Sequence, residues 1–217
     1  MSSQFRSDSD PIARHGLLLL LLLLAGLVGN GCLSKPALKQ QTFAFQNPPF
    51  ATTTSATGGV VAVHPISVSP LFNRPSFVYR TGPEAYETDA YAAFLVAPSK
   101  AIDIAVRAHL LSSGRFQNVV EPGGPLSARK AVEIHVSELY GDFSQSGRPA
   151  AVLTLQVSFF DASETKRRPL LWHKNYSRRV PLQRPTAAAV MGGWDAALDE
   201  IMTEVSNDLA GGVTPPA

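Results

Sequence analysis

The first 32 residues decide what the rest of the chain can fold into. Leu17 to Val28 form a twelve-residue apolar run, with Arg6 and Arg14 ahead of it and Gly29-Asn30-Gly31-Cys32 after it. A basic start, a short oily stretch and small residues before a cleavage point make up a bacterial secretory signal. The run is too short to cross a bilayer as a helix, which takes about 20 residues. Cys32 is the only cysteine. At that place it reads as the lipid-attachment site of a lipoprotein, with residues 1–31 removed as signal peptide. Acyl chains on the thiol and on the new amino terminus hold a protein on a membrane more firmly than one chain alone. Gly29 and Asn30 stand where a lipoprotein signal prefers Leu and a small residue. The competing reading is an ordinary secretory signal with a free cysteine nearby.

Cleavage before Cys32 leaves 186 of the 217 residues, enough for one domain with a real core. An oxidising compartment favours disulfides, but Cys32 has no second cysteine to pair with, so stability must come from burial. The signal carries Arg6, Arg14, Asp8 and Asp10, so its loss leaves the formal charge at +2. A balance so near neutral argues against the concentrated basic face of a nucleic-acid binder. No other apolar run is long enough to span a membrane, so the chain is expected to lie on one.

Residues 32–59 read as the lipidated cysteine and a tether, marked by Pro36, Pro48-Pro49 and Thr52-Thr53-Thr54-Ser55. Phe43-Ala44-Phe45 alternates like a short strand that docks on the body. The domain is expected over 60–212, with 213–217 a tail. Val60–Val63 and Ile66–Val68 are β-rich around Pro65. Phe77–Arg80 and Tyr86–Tyr91 flank the Thr81-Gly82-Pro83 turn as a hairpin, in which Arg80 and Asp89 are expected to pair. The spacing of Ile102, Val106 and Leu110 predicts a helix from Pro98 to Ser113, closed by Gly114. A strand over Phe116–Val120 is expected next.

Alternation then predicts a three-strand meander. Val132, Ile134 and Val136 lie on one face of its first strand, and Leu153, Leu155, Val157 and Phe159 on one face of its second. Leu170, Trp172 and Tyr176 are expected on one face of its third. Lys166-Arg167-Arg168 reads as a solvated turn. Thr186 caps a last helix with the stripe Val190, Trp194, Leu198, Ile201, Val205 and Leu209. Gly192-Gly193 costs that helix about 1 kcal/mol per glycine against alanine, which implies close packing or a kink. The whole predicts an α/β fold, a mixed sheet with helices packed on it.

No catalytic set stands out. His64, His109, His135 and His173 are scattered, with no metal-ligand spacing. No nucleophile elbow and no phosphate loop occurs. No cofactor and no metal are expected. Glu84, Glu87 and Asp89 form the one acidic cluster, read as structural. Phe72, Phe77, Tyr79, Tyr86, Tyr91 and Phe94 make an aromatic-rich stretch. Phe77 and Phe94 read as core. Tyr79, Arg80, Tyr86, Asp89 and Tyr91 form the candidate partner interface, because tyrosine suits surfaces with one dry and one wet end.

Phe77-Val78-Tyr79-Arg80, Tyr86-Glu87-x-Asp89-x-Tyr91, then Phe94-Leu95 and Pro98 resemble the ABC-type transport auxiliary lipoproteins, the PqiC/YmbA-type family. The resemblance runs over most of the mature chain, including Cys32, the meander and the Trp194 helix. It implies a fold similar to the anticodon-binding and TolB amino-terminal folds. It also implies a non-catalytic accessory subunit that works with an MCE-domain protein and an ABC permease and ATPase in lipid transport. The subunit would be anchored on the periplasmic side, at the outer membrane since Leu33 and not Asp follows the cysteine. A homo-oligomer is left open. The alternatives are a periplasmic lipid carrier with its own pocket and a hydrolase with an unrecognised site.

Overall fold

The computed structural model describes residues 39–48, 56, 58–163 and 168–210. Cys32, the signal, most of the tether, Lys166, Arg167, the Gly211-Gly212 stop and the tail lie outside the described residues.

The elements are β1 (Gln41–Phe43), β2 (Val60–Val63), β3 (Ser67–Val68), β4 (Ser76–Arg80) and β5 (Tyr86–Phe94), then helix α1 (Pro98–Ser112). After these come β6 (Asn118–Val120), β7 (Lys130–Asp142), β8 (Ala150–Asp161), β9 (Leu170–Pro181) and helix α2 (Ala187–Ala210). All nine strands form one mixed sheet. β7 is its spine: β8 pairs antiparallel along its whole length, and β2, β3 and β4 pair parallel, one after another, along its other edge. β9 continues beyond β8, β6 beyond β2, and β5 then β1 beyond β4. The mixed sheet with packed helices expected from the sequence is therefore observed.

The alternation of β7 changes phase along its length. Val132, Ile134 and Val136 point to the helices, whereas after a register shift between Val136 and Glu138 the inward residues are Leu139 and Gly141. One extra residue in a strand exchanges its faces. A second shift, between Phe159 and Phe160, corrects the expectation for β9. Trp172 and Tyr176 are buried, but Leu170 is 55% exposed, because the irregularity lifts it out of their row.

Trp194, Phe77 and Phe94 form the centre of the helix-side core. The Trp194 ring lies 4.8 Å from Phe77 and 5.4 Å from Phe94, and its Nε1–H donates to the Val152 carbonyl at 3.1 Å. That bond satisfies the one polar atom of a fully buried ring. The whole α2 stripe expected from the sequence is buried. Thr186 starts the helix, its hydroxyl accepting from the Ala189 amide. The two glycines differ. A Cβ on Gly193 would stand 2.6 Å from the Cβ of Ala151, while one on Gly192 would meet nothing. Close packing therefore explains Gly193, and the helix runs on unbroken.

α1 opens with Pro98 in its first turn and buries Ile102, Val106 and Leu110. Gly114, at φ +66°, follows its end. Arg107 reaches inward from α1 and donates to the carbonyls of Val63 and Val120, on β2 and β6. Its charge is met by the buried Asp103 at 3.0 Å. On the other helix, Glu200, Glu204 and Asp208 hold Lys174 and Arg178 of β9. Lys174 and Arg178 pull the Glu204 carboxyl below the usual carboxylate range.

The Phe43-Ala44-Phe45 segment docks as the sequence predicts. β1 pairs parallel with β5, Phe45 stacks on Phe94, and the Gln46 amide donates to Asp195 on α2.

Candidate functional site

The β4–β5 hairpin carries the five residues expected at a partner interface, and the structure separates them. Tyr79 and Asp89 belong to the scaffold. The Tyr79 hydroxyl donates to the Asp89 carboxylate at 2.6 Å, and Asp89 also accepts from the amides of Tyr91 and Ala92. Burial first, and then the Asp89 charge, push the Tyr79 hydroxyl far above its ordinary range. Tyr79 also packs on Phe143, 4.8 Å between centroids.

The expected Arg80–Asp89 pair is not formed. Phe77 and Tyr79 point to the helices, so Arg80 points to the opposite face, away from Asp89. It donates to the Gly82 and Pro83 carbonyls of its own turn and lies 3.9 Å from Asp142. Asp142 is buried at the end of β7, 2.6 Å from Arg179. Burial pushes its carboxyl up, but hydrogen bonds from Ser144 and Arg179 outweigh that and hold it below the usual range. No sequence signal linked Arg80 to Asp142, which is 62 positions away.

Tyr86 and Tyr91 are the accessible members, 47% and 57% exposed. Tyr86 leans on Phe72 and Tyr140 on the helix-free face of the sheet. Tyr91, Leu95 and Val96 are all exposed along the stretch where β5 leads into α1. Glu84 and Glu87 are exposed, so the acidic cluster of the sequence does not converge.

The helix-free face also gathers what the sequence scattered. His64, His135 and His173 line one cleft of about 350 Å³ with Glu133, Gln156 and Ser158. Each of two rings is held at Nδ1 by a serine on the neighbouring strand: His135 by Ser67 at 2.8 Å and His173 by Ser158 at 2.9 Å. Arg168 contacts His64 and Glu133 instead of standing free at its turn. Strand register brings these residues together, which spacing along the chain does not reveal. Even so, no group of three acidic, histidine or cysteine side chains among the described residues is placed to hold a metal. His109 lies apart, between α1 and α2. Burial lowers its pKa, against the opposing pull of Asp199 at 3.7 Å.

Sheet and helices together define a one-sided α/β domain, with helices on one face and the histidine cleft on the other. The chain belongs to the ABC-type transport auxiliary lipoprotein component family, whose model matches residues 42–206. No curated relative matches the sequence. Among solved structures it is similar to protein XCC0632 from Xanthomonas campestris, with 18% identity over 80% of this chain and 95% of that one, at a TM-score of 0.61. It is also similar to the hypothetical protein CT253 from Chlamydia trachomatis, with 12% identity over 71% of this chain and 99% of that one, at a TM-score of 0.51. These likenesses show the fold. Among the described residues, no helix is long and apolar enough to cross a membrane.

Proposed function

We propose that this protein is a non-catalytic accessory subunit of an ABC/MCE-type lipid transport system. Cys32 anchors it on the periplasmic face of the outer membrane, and it engages the MCE-domain protein that works with the permease and ATPase. Membership of the auxiliary lipoprotein family, in a chain whose sequence opens with a lipoprotein-type signal, carries this reading. Two clefts weigh against a lipid carrier, which needs a concave apolar pocket: one is lined by polar groups such as His135, Gln156 and Ser158, the other by His109, Asp199 and Asn207. A third, of about 460 Å³, mixes Ala62, Leu126 and Ala131 with Arg129 and Arg168.

Tyr91, Leu95 and Val96 are the part of the hairpin region suited to a protein partner, because their side chains are largely apolar, exposed and not used in the side-chain bonds that hold the scaffold. Exposed apolar patches mark interaction sites. Tyr91→Ala with Leu95→Ala should leave the melting temperature unchanged and abolish co-purification with the cognate MCE-domain protein. Unchanged co-purification would place the partner surface elsewhere.

A further inference from the structure

We propose that β9 is the contact between two copies of this chain, paired antiparallel, edge to edge, about a two-fold axis at Asn175. β9 pairs with β8 on one side, and among the described residues no strand pairs with its other side. It has 12 residues, whereas β1 and β6, the end strands of the sheet's other branches, have 3 each. Proteins keep an unpaired edge short, cover it or interrupt it with a proline. The one proline of β9, Pro181, stands at its last position.

The phase of the ladder fixes which groups this edge offers. The Leu182 amide donates to the Pro149 carbonyl at 2.8 Å, one step beyond the opposed Ala150 and Pro181. Bonded and non-bonded pairs alternate along an antiparallel ladder. Val180, Arg178, Tyr176 and Lys174 therefore spend their backbone groups on β8. Arg179, Ser177, Asn175 and His173 turn theirs outward, and all four residues are exposed. The Ser177 carbonyl already accepts from the Arg178 guanidinium at 3.0 Å, which leaves its second lone pair for a strand.

A second copy fits this edge because β9 is complementary to itself. Outward groups must meet outward groups, so odd-numbered residues face odd-numbered ones. With the axis at Asn175, His173 faces Ser177 of the second copy, Lys174 faces its Tyr176, and Arg178 faces its Trp172. No cation stands opposite a cation. Moving the axis one residue, to Lys174 or to Tyr176, sets Lys174 opposite Lys174 or opposite Arg178. Like charges directly opposed destabilise a sheet. Contacts of the favoured kinds already occur within the chain: Ser158 holds His173 from the neighbouring strand, and the Lys174 Nζ lies 4.8 Å from the Tyr176 ring centroid. The long cationic side chains do not guard the edge either, because Lys174 and Arg178 are drawn back onto Glu200, Glu204 and Asp208 of α2. A two-fold contact of this kind is self-complementary and closed, and it joins two nine-stranded sheets into one.

The test uses the acylated full chain in detergent, with its polypeptide mass read by light scattering. The mass should be that of two chains. Asn175→Cys puts two thiols across the axis at a Cα separation of about 5.5 Å, which a disulfide can bridge. Mild oxidation should lock this variant as a dimer. The chain without an added cysteine should not be locked, which controls for Cys32. His173→Cys should not be locked either, because its two copies lie roughly 14 Å apart at ~3.4 Å per residue. Asn175→Pro loses no bond to β8 and is of the kind an edge strand tolerates. It should fold, and by deleting both bonds of the central pair it should weaken the dimer about tenfold or more. Asn175→Lys, which opposes two cations, should weaken it as well. A wild-type mass of one chain overturns the proposal. So does a dimer that both Asn175→Pro and Asn175→Lys leave intact, or one that His173→Cys locks and Asn175→Cys does not. Capture of the Asn175→Cys thiol by the MCE-domain protein, with no dimer formed, would give the edge to another protein's strand and overturns it too.

Discussion

The two faces of this sheet obey different rules. Under the helices, Phe77, Phe94, Leu153, Leu155 and Trp194 exclude water, and even the glycine at 193 is fixed by what it touches. On the other face, rows such as Ser67–His135–Gln156 and Glu133–Ser158–His173 run across the same strands and stay wet. The large buried side chains are concentrated on the first face, whereas on the second only patches such as Phe72 and Tyr140 are buried.

The sharpest way to break this contrast is Trp194→Ala. Truncating a buried tryptophan costs about 3–5 kcal/mol, a large share of the 5–15 kcal/mol that holds a domain together. Thermal unfolding should shift down by about 10 °C, at roughly 2–4 °C per kcal/mol for a domain of this size. A small shift would mean that the face is not a close-packed core. A middle-sized effect separates the paired glycines. Gly193→Ala should cost about 1–3 kcal/mol through overpacking against Ala151, whereas Gly192→Ala should gain up to about 1 kcal/mol by stiffening the unfolded chain. Equal effects in denaturant titrations would show that the helix does not approach β8 as described. The smallest effect belongs to the wet face. His135→Gln should stay within about 0.5 kcal/mol, and a larger loss would make the Ser67 contact structural.

Much of the covered face was legible in the sequence. The Val190–Leu209 stripe, the Pro98 helix start and the three strands of the meander all announce themselves by local periodicity, which burial then rewards. Features that depend on pairing between distant segments were not legible. Leu170 leaves its row because of a register irregularity opposite Phe160. Arg80 meets Asp142 instead of Asp89 because β4 lies beside the far end of β7. Arg107 carries no signal of its own in the sequence, yet it pins α1 to two strands. The histidine cleft arises only when β3, β7, β8 and β9 lie side by side.

β1 has a mechanical consequence. A pull directed along β1 loads the bonds between β1 and β5 together, in shear, and does not open them one at a time. Behind them Phe45 is seated against Phe94, and the Gln46 amide is tied to α2. Three residues of strand and one aromatic wedge thus act as a strain relief. A tug on the leash is absorbed at the rim of the sheet before it reaches Trp194 and the dry face behind it.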